Sequence, residues 1–146
     1  MRRFKFSLES VLTIRQKALD DAQIQLASIT SVYNTQNDVL QEMMFDLKAI
    51  ENEASSYIEG EDFNPDIISN YGAYLNKLSQ DIETQKQIIE RTRQDLLIQQ
   101  ELTKQAYIKV KSLENLKQKQ KEDYQKELLL EEFKEIDDIV NSRRSA

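Results

Sequence analysis

Apolar residues recur at alternating intervals of four and three positions along residues 8–57, without a change of register. Thirteen of the fifteen positions in this stripe are apolar, and the exceptions are Arg15 and Gln36. Such a spacing is typical of a helix that keeps one seam against a partner helix and supercoils with it. The stripe consists of Leu8, Leu12, Arg15, Leu19, Ala22, Leu26, Ile29, Tyr33, Gln36, Leu40, Met43, Leu47, Ile50, Ala54 and Tyr57.

The stripe predicts a first helix over about residues 7–58. Ser7 is suited to the N-cap position, and Glu9 then lies in the positive first turn. Phe6 and Val11 have the spacing of a hydrophobic staple across this helix start.

Residues 59–65 interrupt the stripe and predict a loop. Gly60 is suited to the position that follows a helix end. Asn64 is suited to an N-cap, and Pro65 to the first position of a new helix. Seven residues are a normal length for joining two antiparallel helices, so the pattern predicts a hairpin.

A second helix is predicted over about residues 66–141, with 142–146 disordered. Its stripe has fourteen positions, of which ten are apolar. They are Ile68, Tyr71, Leu75, Leu78, Ile82, Gln85, Ile89, Thr92, Leu96, Gln99, Thr103, Ala106, Val110 and Leu113.

The second helix is longer than the first, and its stripe fails at Lys117 and Gln120. If the hairpin closes near Tyr57, the numbers of facing residues sum to roughly 124. Everything beyond about residue 119 then overhangs by about 35–40 Å and has no partner in the chain. We call this overhang the arm. It could bind a partner, pair with itself in a homodimer or fray, and its density of apolar residues favours partner binding.

Polar residues also occupy seam positions, among them Gln36 in the first helix and Gln85 in the second. Buried polar side chains can fix the register of a coiled coil. Long side chains can instead extend along the helix and place their polar ends in water. The sequence favours the second interpretation, because the antiparallel register places Gln36 near Ile88 and Ile89.

Composition supports an all-α fold, a long antiparallel coiled-coil hairpin of one domain over residues 1–146. The chain is 32% charged and has two Gly and one Pro. It has no Cys and no His. These residues are common metal ligands and common members of the nucleophile–base pairs of enzymes. Neither glycine lies in a phosphate-binding loop. We therefore expect no enzymatic activity, no catalytic or metal-binding residues and no cofactor.

The chain also lacks the signals of membrane and nucleic-acid proteins. The first residues contain no apolar run of the kind found in secretory signals. No stretch approaches the roughly 18 apolar residues of a membrane-spanning helix. A net charge of −6 argues against general nucleic-acid binding. These features predict a cytoplasmic protein.

Charge is segregated into blocks. Residues 1–19 contain five cations and one acid, and residues 104–126 contain seven lysines and three acids. We call these two stretches the basic base. Residues 127–140, the acidic segment, contain six acids and one lysine. Any single charge is best explained as part of a solvated face, but blocks of opposite sign can steer docking.

The two ends of the chain resemble the FliJ family. The N-terminal stretch 4–15, FKFSLESVLTIR, is similar to the opening F-x-F-x-L-x-x-V-L-x-x-R of these proteins. Residues 110–117, VKSLENLK, together with Tyr124 and the acidic 131–139, EEFKEIDDI, resemble their C-terminal half.

The resemblance implies a non-enzymatic component of the bacterial flagellar type III export apparatus. Proteins of this family bind and activate the hexameric export ATPase like a central stalk, contact the cytoplasmic domain of the export gate and handle export chaperones. It also implies a location in the cytoplasm, peripheral to the inner face of the cell membrane at the flagellar base.

The resemblance and the charge blocks select the same end of the hairpin, so we predict a partner-binding surface there. A homo-oligomeric scaffold and the equivalent stalk of a virulence-type secretion system remain alternatives. The predicted partner-binding residues are Phe4, Phe6, Arg15, Tyr124, Leu128, Leu129, Phe133, Ile136, Ile139 and Val140.

Overall fold

The computed structural model describes residues 3–60, 62 and 64–145, and within these ranges it contains helices and no strand. Helix α1 spans Glu9–Glu59 and helix α2 spans Pro65–Ser145. The two long helices pack against each other, which confirms the predicted all-α hairpin. The chain divides into two units, the turn unit (23–101) and the end unit (3–22 with 102–145).

The helix bounds differ slightly from those predicted. Helix α1 begins two residues later than position 7, and α2 continues through Ser145 instead of ending near 141. Arg143 and Arg144 lie in the last turn of α2, where cations interact favourably with the helix dipole. Glu61 and Phe63 of the predicted loop, Arg2 of the basic base, and Ala146 lie outside the described residues.

The connection between the helices is held by local hydrogen bonds. The Gly60 N–H donates to the Tyr57 carbonyl at 3.2 Å, and no described glycine has a positive φ. Gly60 therefore ends α1 without the left-handed conformation that glycine often adopts after a helix. The Asn64 side chain accepts the Asp66 N–H at 2.9 Å, so Asn64 caps α2 as its position predicted.

Two tyrosines join the helices beside this connection. The rings of Tyr57 and Tyr71 lie 6.0 Å apart, and the Tyr57 hydroxyl accepts the Asn64 N–H at 2.8 Å. The Tyr71 hydroxyl donates to Glu53 at 3.1 Å. Desolvation raises the pKa of Tyr71, and the hydrogen bond to the Glu53 carboxylate and its negative charge raise it further.

The seam of the turn unit is mostly half-buried, because each helix has only one neighbour. Ala54, Ile82 and Ile89 are its most buried apolar side chains. The side-chain amide of Gln85 donates a hydrogen bond across the seam to the backbone carbonyl of Gln36 at 2.9 Å. The interpretation that seam glutamines extend to water is thus wrong for Gln85, and it is also wrong for Gln36, whose side-chain oxygen is buried. The bond favours one register of the two helices.

The end unit has a small apolar core that closes the hairpin. Phe6, Leu12 and Val110 are buried there, and Leu8, Leu19 and Leu113 pack around them. This core holds the N-terminus of α1 against the middle of α2 and positions the candidate site.

We expect Leu12→Ala to destabilise the protein by about 2–5 kcal/mol, because Leu12 is 3% exposed and its loss leaves a cavity. Ile24→Ala, at a position of the turn unit that is 66% exposed, is the control and should change stability by less than about 0.5 kcal/mol. Urea denaturation followed by circular dichroism measures both. Equal effects of the two variants would contradict the assignment of the core.

Candidate interaction surface at the paired chain ends

The start of α1 folds the N-terminal segment back over the helix pair. The Leu12 N–H donates to the Leu8 carbonyl at 2.9 Å, which places Leu8 at the N-cap instead of Ser7. The preceding turn is closed by the Glu9 N–H and the Phe6 carbonyl at 3.1 Å. This turn lets Phe6 enter the core, where its side chain is 7% exposed.

The non-helical N-terminal segment extends the pairing beyond residue 119. The ring of Phe4 lies 5.8 Å from the ring of Tyr124, centroid to centroid. A non-helical chain rises by up to about 3.3–3.6 Å per residue, whereas a helix rises by 1.5 Å. Four residues before Leu8 can therefore follow about eight residues of α2. The prediction that pairing ends near residue 119 is therefore wrong, because it assumed a helical rise for the N-terminal segment as well as for α2.

Polar side chains also cross between the helices of the end unit. Lys117 lies 2.8 Å from Glu9 in an ion pair, and its side chain is 38% exposed. The Thr103 hydroxyl donates to the Ala22 carbonyl at 3.3 Å. The stripe pattern predicted that the seam fails at Lys117, whereas this residue crosses to α1 through its ion pair. The sequence signal for this contact is Glu9, an acid in the first turn of α1 at the matching antiparallel position.

The seam of α2 ends because its register reaches charged residues. In the end unit this register runs through Val110, Leu113, Lys117, Gln120 and Tyr124, all at least half-buried. Its next positions are all charged and exposed. These positions are Glu127, Glu131, Lys134 and Asp138.

Four apolar residues of the acidic segment lie on a different face of α2 from the seam. Leu129, Phe133, Ile136 and Val140 follow one another at intervals of four, three and four, and are 42–55% exposed. At about 100° per residue they form a stripe turned roughly 150° from the seam. We call these four residues the arm stripe. A helix pairing through the seam could not cover it.

The ten predicted partner-binding residues therefore fall into two groups. Phe6 is buried, and Phe4, Tyr124 and Leu128 are half-buried, with Phe4 and Tyr124 in contact with each other. The others are exposed. The exposed ones are Arg15, Leu129, Phe133, Ile136, Ile139 and Val140.

Charge around the arm stripe is negative. Glu132 and Asp137 lie within this part of α2, and the only cation of the acidic segment is Lys134. Every residue from 129 to 145 is exposed, so these charges are solvated. The surface combines an apolar stripe with an acidic rim, and it suits an apolar partner surface that carries cations.

The chain matches a known protein family over almost its whole length. The family model described as Flagellar FliJ protein matches residues 4–145, so the chain belongs to the FliJ family. Proteins of this family are components of the flagellar export apparatus. No curated protein and no solved structure matches the chain.

Two further properties of the described residues concern membranes and metal ions. Neither α1 nor α2 is apolar over a length that would cross a membrane. The same residues contain no group of three or more Asp, Glu, Cys or His side chains that could hold a metal ion.

We expect Phe4→Ala to loosen the segment of α2 around Tyr124. The substitution removes the ring contact and also the side chain that covers Tyr124. Hydrogen–deuterium exchange should accelerate at the backbone amides of residues 120–128. It should change little at residues 106–113, the part of α2 that packs on α1. Lys5→Ala, at an exposed neighbouring position, is the control. Unchanged exchange in Phe4→Ala would show that the N-terminal segment does not hold Tyr124.

Proposed function

We propose that this FliJ-family chain binds and activates the flagellar export ATPase, and that the arm stripe is its main contact. The observation that carries the proposal is the exposure of Leu129, Phe133, Ile136 and Val140 on the face of α2 opposite the seam. Four large apolar side chains on one face of a solvated helix are typical of a helix that packs into a groove of another protein.

The end unit is also suited to act as a stalk. Helix α2 continues from its paired part into the acidic segment without Pro or Gly, so the arm stripe is attached to the apolar core by unbroken helix. The core of Phe6, Leu12 and Val110 holds α1 against α2 beside it. A partner that encloses the paired ends would meet a braced helix instead of a flexible tail.

The remaining roles follow from the family. We propose contacts with the cytoplasmic domain of the export gate and with export chaperones, without assigning residues to either. We also propose that the protein works in the cytoplasm, at the inner face of the cell membrane where the flagellar base lies. Because the matching family is the flagellar one, we favour the flagellar system over a virulence-type system.

The double substitution Phe133→Ser with Ile136→Ser tests the ATPase contact. Each residue is more than half exposed in the free chain, so the change should leave its helix content and stability nearly unaltered. If each side chain is an anchor worth about 2 kcal/mol, binding to the purified export ATPase should weaken by more than tenfold. Stimulation of ATP hydrolysis should fall in parallel.

The matched control is Ile24→Ser with Phe45→Ser, which removes two exposed apolar side chains, 66% and 74% exposed, from the turn unit. We expect it to bind the ATPase like the unmodified chain. A chain lacking residues 127–146 provides the second check. Full binding by that truncated chain would refute the proposed contact, and equal loss in the control would show that the effect is not specific to the arm stripe.

A further inference from the structure

A second apolar strip lies within the basic base, on one flank of the helix pair. On α2 it consists of Leu102 and Leu116, with Lys109 between them. These three residues follow one another at intervals of seven and therefore share a face. On α1 it includes Val11, with Ile14 beside it. Leu102 is 50% exposed and Ile14 is 66% exposed, so the strip is open to solvent in the single chain.

Helix geometry places these residues on the same side of the pair. Each of Val11, Leu102 and Leu116 directly precedes a buried or half-buried seam position, which gives all three the same heptad position. In an antiparallel pair, equivalent flanking positions of the two helices lie on the same side of the seam. We call Val11, Ile14, Leu102, Lys109 and Leu116 the flank strip.

Cations surround the flank strip. Lys109 lies within it, and Arg15 and Lys17 are exposed on α1 close to Ile14. Within the described part of the chain none of these three cations has an acidic partner within 4 Å, whereas Lys111 and Lys117 each have one. The flank strip thus has the cationic surroundings that the arm stripe lacks.

The arm stripe and the flank strip also match in length. From Leu129 to Val140 the helix rises by about 17 Å, and from Leu102 to Leu116 by about 21 Å. One arm stripe can therefore lie along one flank strip, with the acids beside the former near the cations beside the latter.

The two surfaces cannot meet within one chain. Helix α2 is continuous between Leu116 and Leu129, and no Pro or Gly interrupts it there. A fold-back of the arm stripe would need a sharp break in this helix, and sharp kinks have specific causes that this sequence does not supply. Direct pairing of two arm stripes would place two acidic segments side by side, which repel each other.

We propose that the free protein forms a two-fold symmetric dimer in which the arm stripe of each copy packs on the flank strip of the other. The contact is reciprocal, so both arm stripes are covered at once, as in other isologous dimers. The dimer stores the arm stripe away from solvent until a partner replaces the second copy. This inference concerns the protein alone and does not depend on the identity of that partner.

Sedimentation equilibrium of the purified full chain over a wide concentration range tests the dimer. We expect a reversible monomer–dimer equilibrium that weakens as salt is raised, because opposite charges are screened. A monomer at every concentration would overturn the proposal.

Charge reversal then tests the interface. The first variant carries Arg15→Glu, Lys17→Glu and Lys109→Glu, the three cations at the flank strip. The second carries Glu132→Lys and Asp137→Lys, the two acids beside the arm stripe. Each variant alone should dimerise at least about tenfold more weakly. An equimolar mixture should recover the dimer, because each arm then meets a base of opposite charge.

The matched control reverses three exposed acids of α1 in the turn unit, with Asp46→Lys, Glu51→Lys and Glu59→Lys, and should dimerise like the unmodified chain. Circular dichroism of all variants checks that helix content is preserved. A base variant that stays dimeric would show that the copies associate elsewhere, and would overturn the assignment. A mixture that fails to recover the dimer would overturn it as well.

Discussion

A pair of helices can bury only one stripe of each, and this limit governs the whole structure. Six apolar side chains among the described residues are buried, and most of the seam is half-buried. Stability is therefore spread along the helices instead of being concentrated in a globular core. Because no other layer covers the backs of the helices, most apolar residues outside the seam stay open to solvent. The surfaces available for recognition follow from this geometry.

The end unit shows how the chain manages the place where the two helices stop being equal in length. Phe6 fills the core beneath the first turn of α1, and Phe4 continues along α2 as far as Tyr124. A short non-helical segment thus covers a length of α2 that would otherwise need two further helical turns of α1. Past that point the seam positions of α2 are charged, and the apolar residues move to the opposite face. The change of face separates the part of α2 that stabilises the hairpin from the part that can bind something else.

Much of this could be predicted from the sequence, because the periodicity of a coiled coil is a local signal that tertiary context rarely overrides. The positions of the two stripes, the Asn64 cap and the hairpin were all visible in the spacing of residues. The contact between Phe4 and Tyr124 was not, since it depends on the conformation of a segment without periodicity. The Gln85 bond to the Gln36 backbone was also missed, because a sequence does not show where a backbone carbonyl faces. For the candidate site, the four residues of the arm stripe were among those predicted from the sequence, and their partner role stays a prediction. The predicted partner roles of Phe4, Phe6 and Tyr124 compete with the packing of these residues inside the chain.

The exposed end of α2 also has a consequence for how long the protein survives in a cell. From residue 129 to residue 145 no side chain is buried, so this stretch is held only by its own helical hydrogen bonds and opens more readily than the paired part. Proteases act on segments that open, and they do so less when a partner covers them. The lifetime of the molecule is then linked to occupancy of its terminal helix, so that a copy whose arm stripe is covered, by a second copy or by another partner, is degraded more slowly than a bare one.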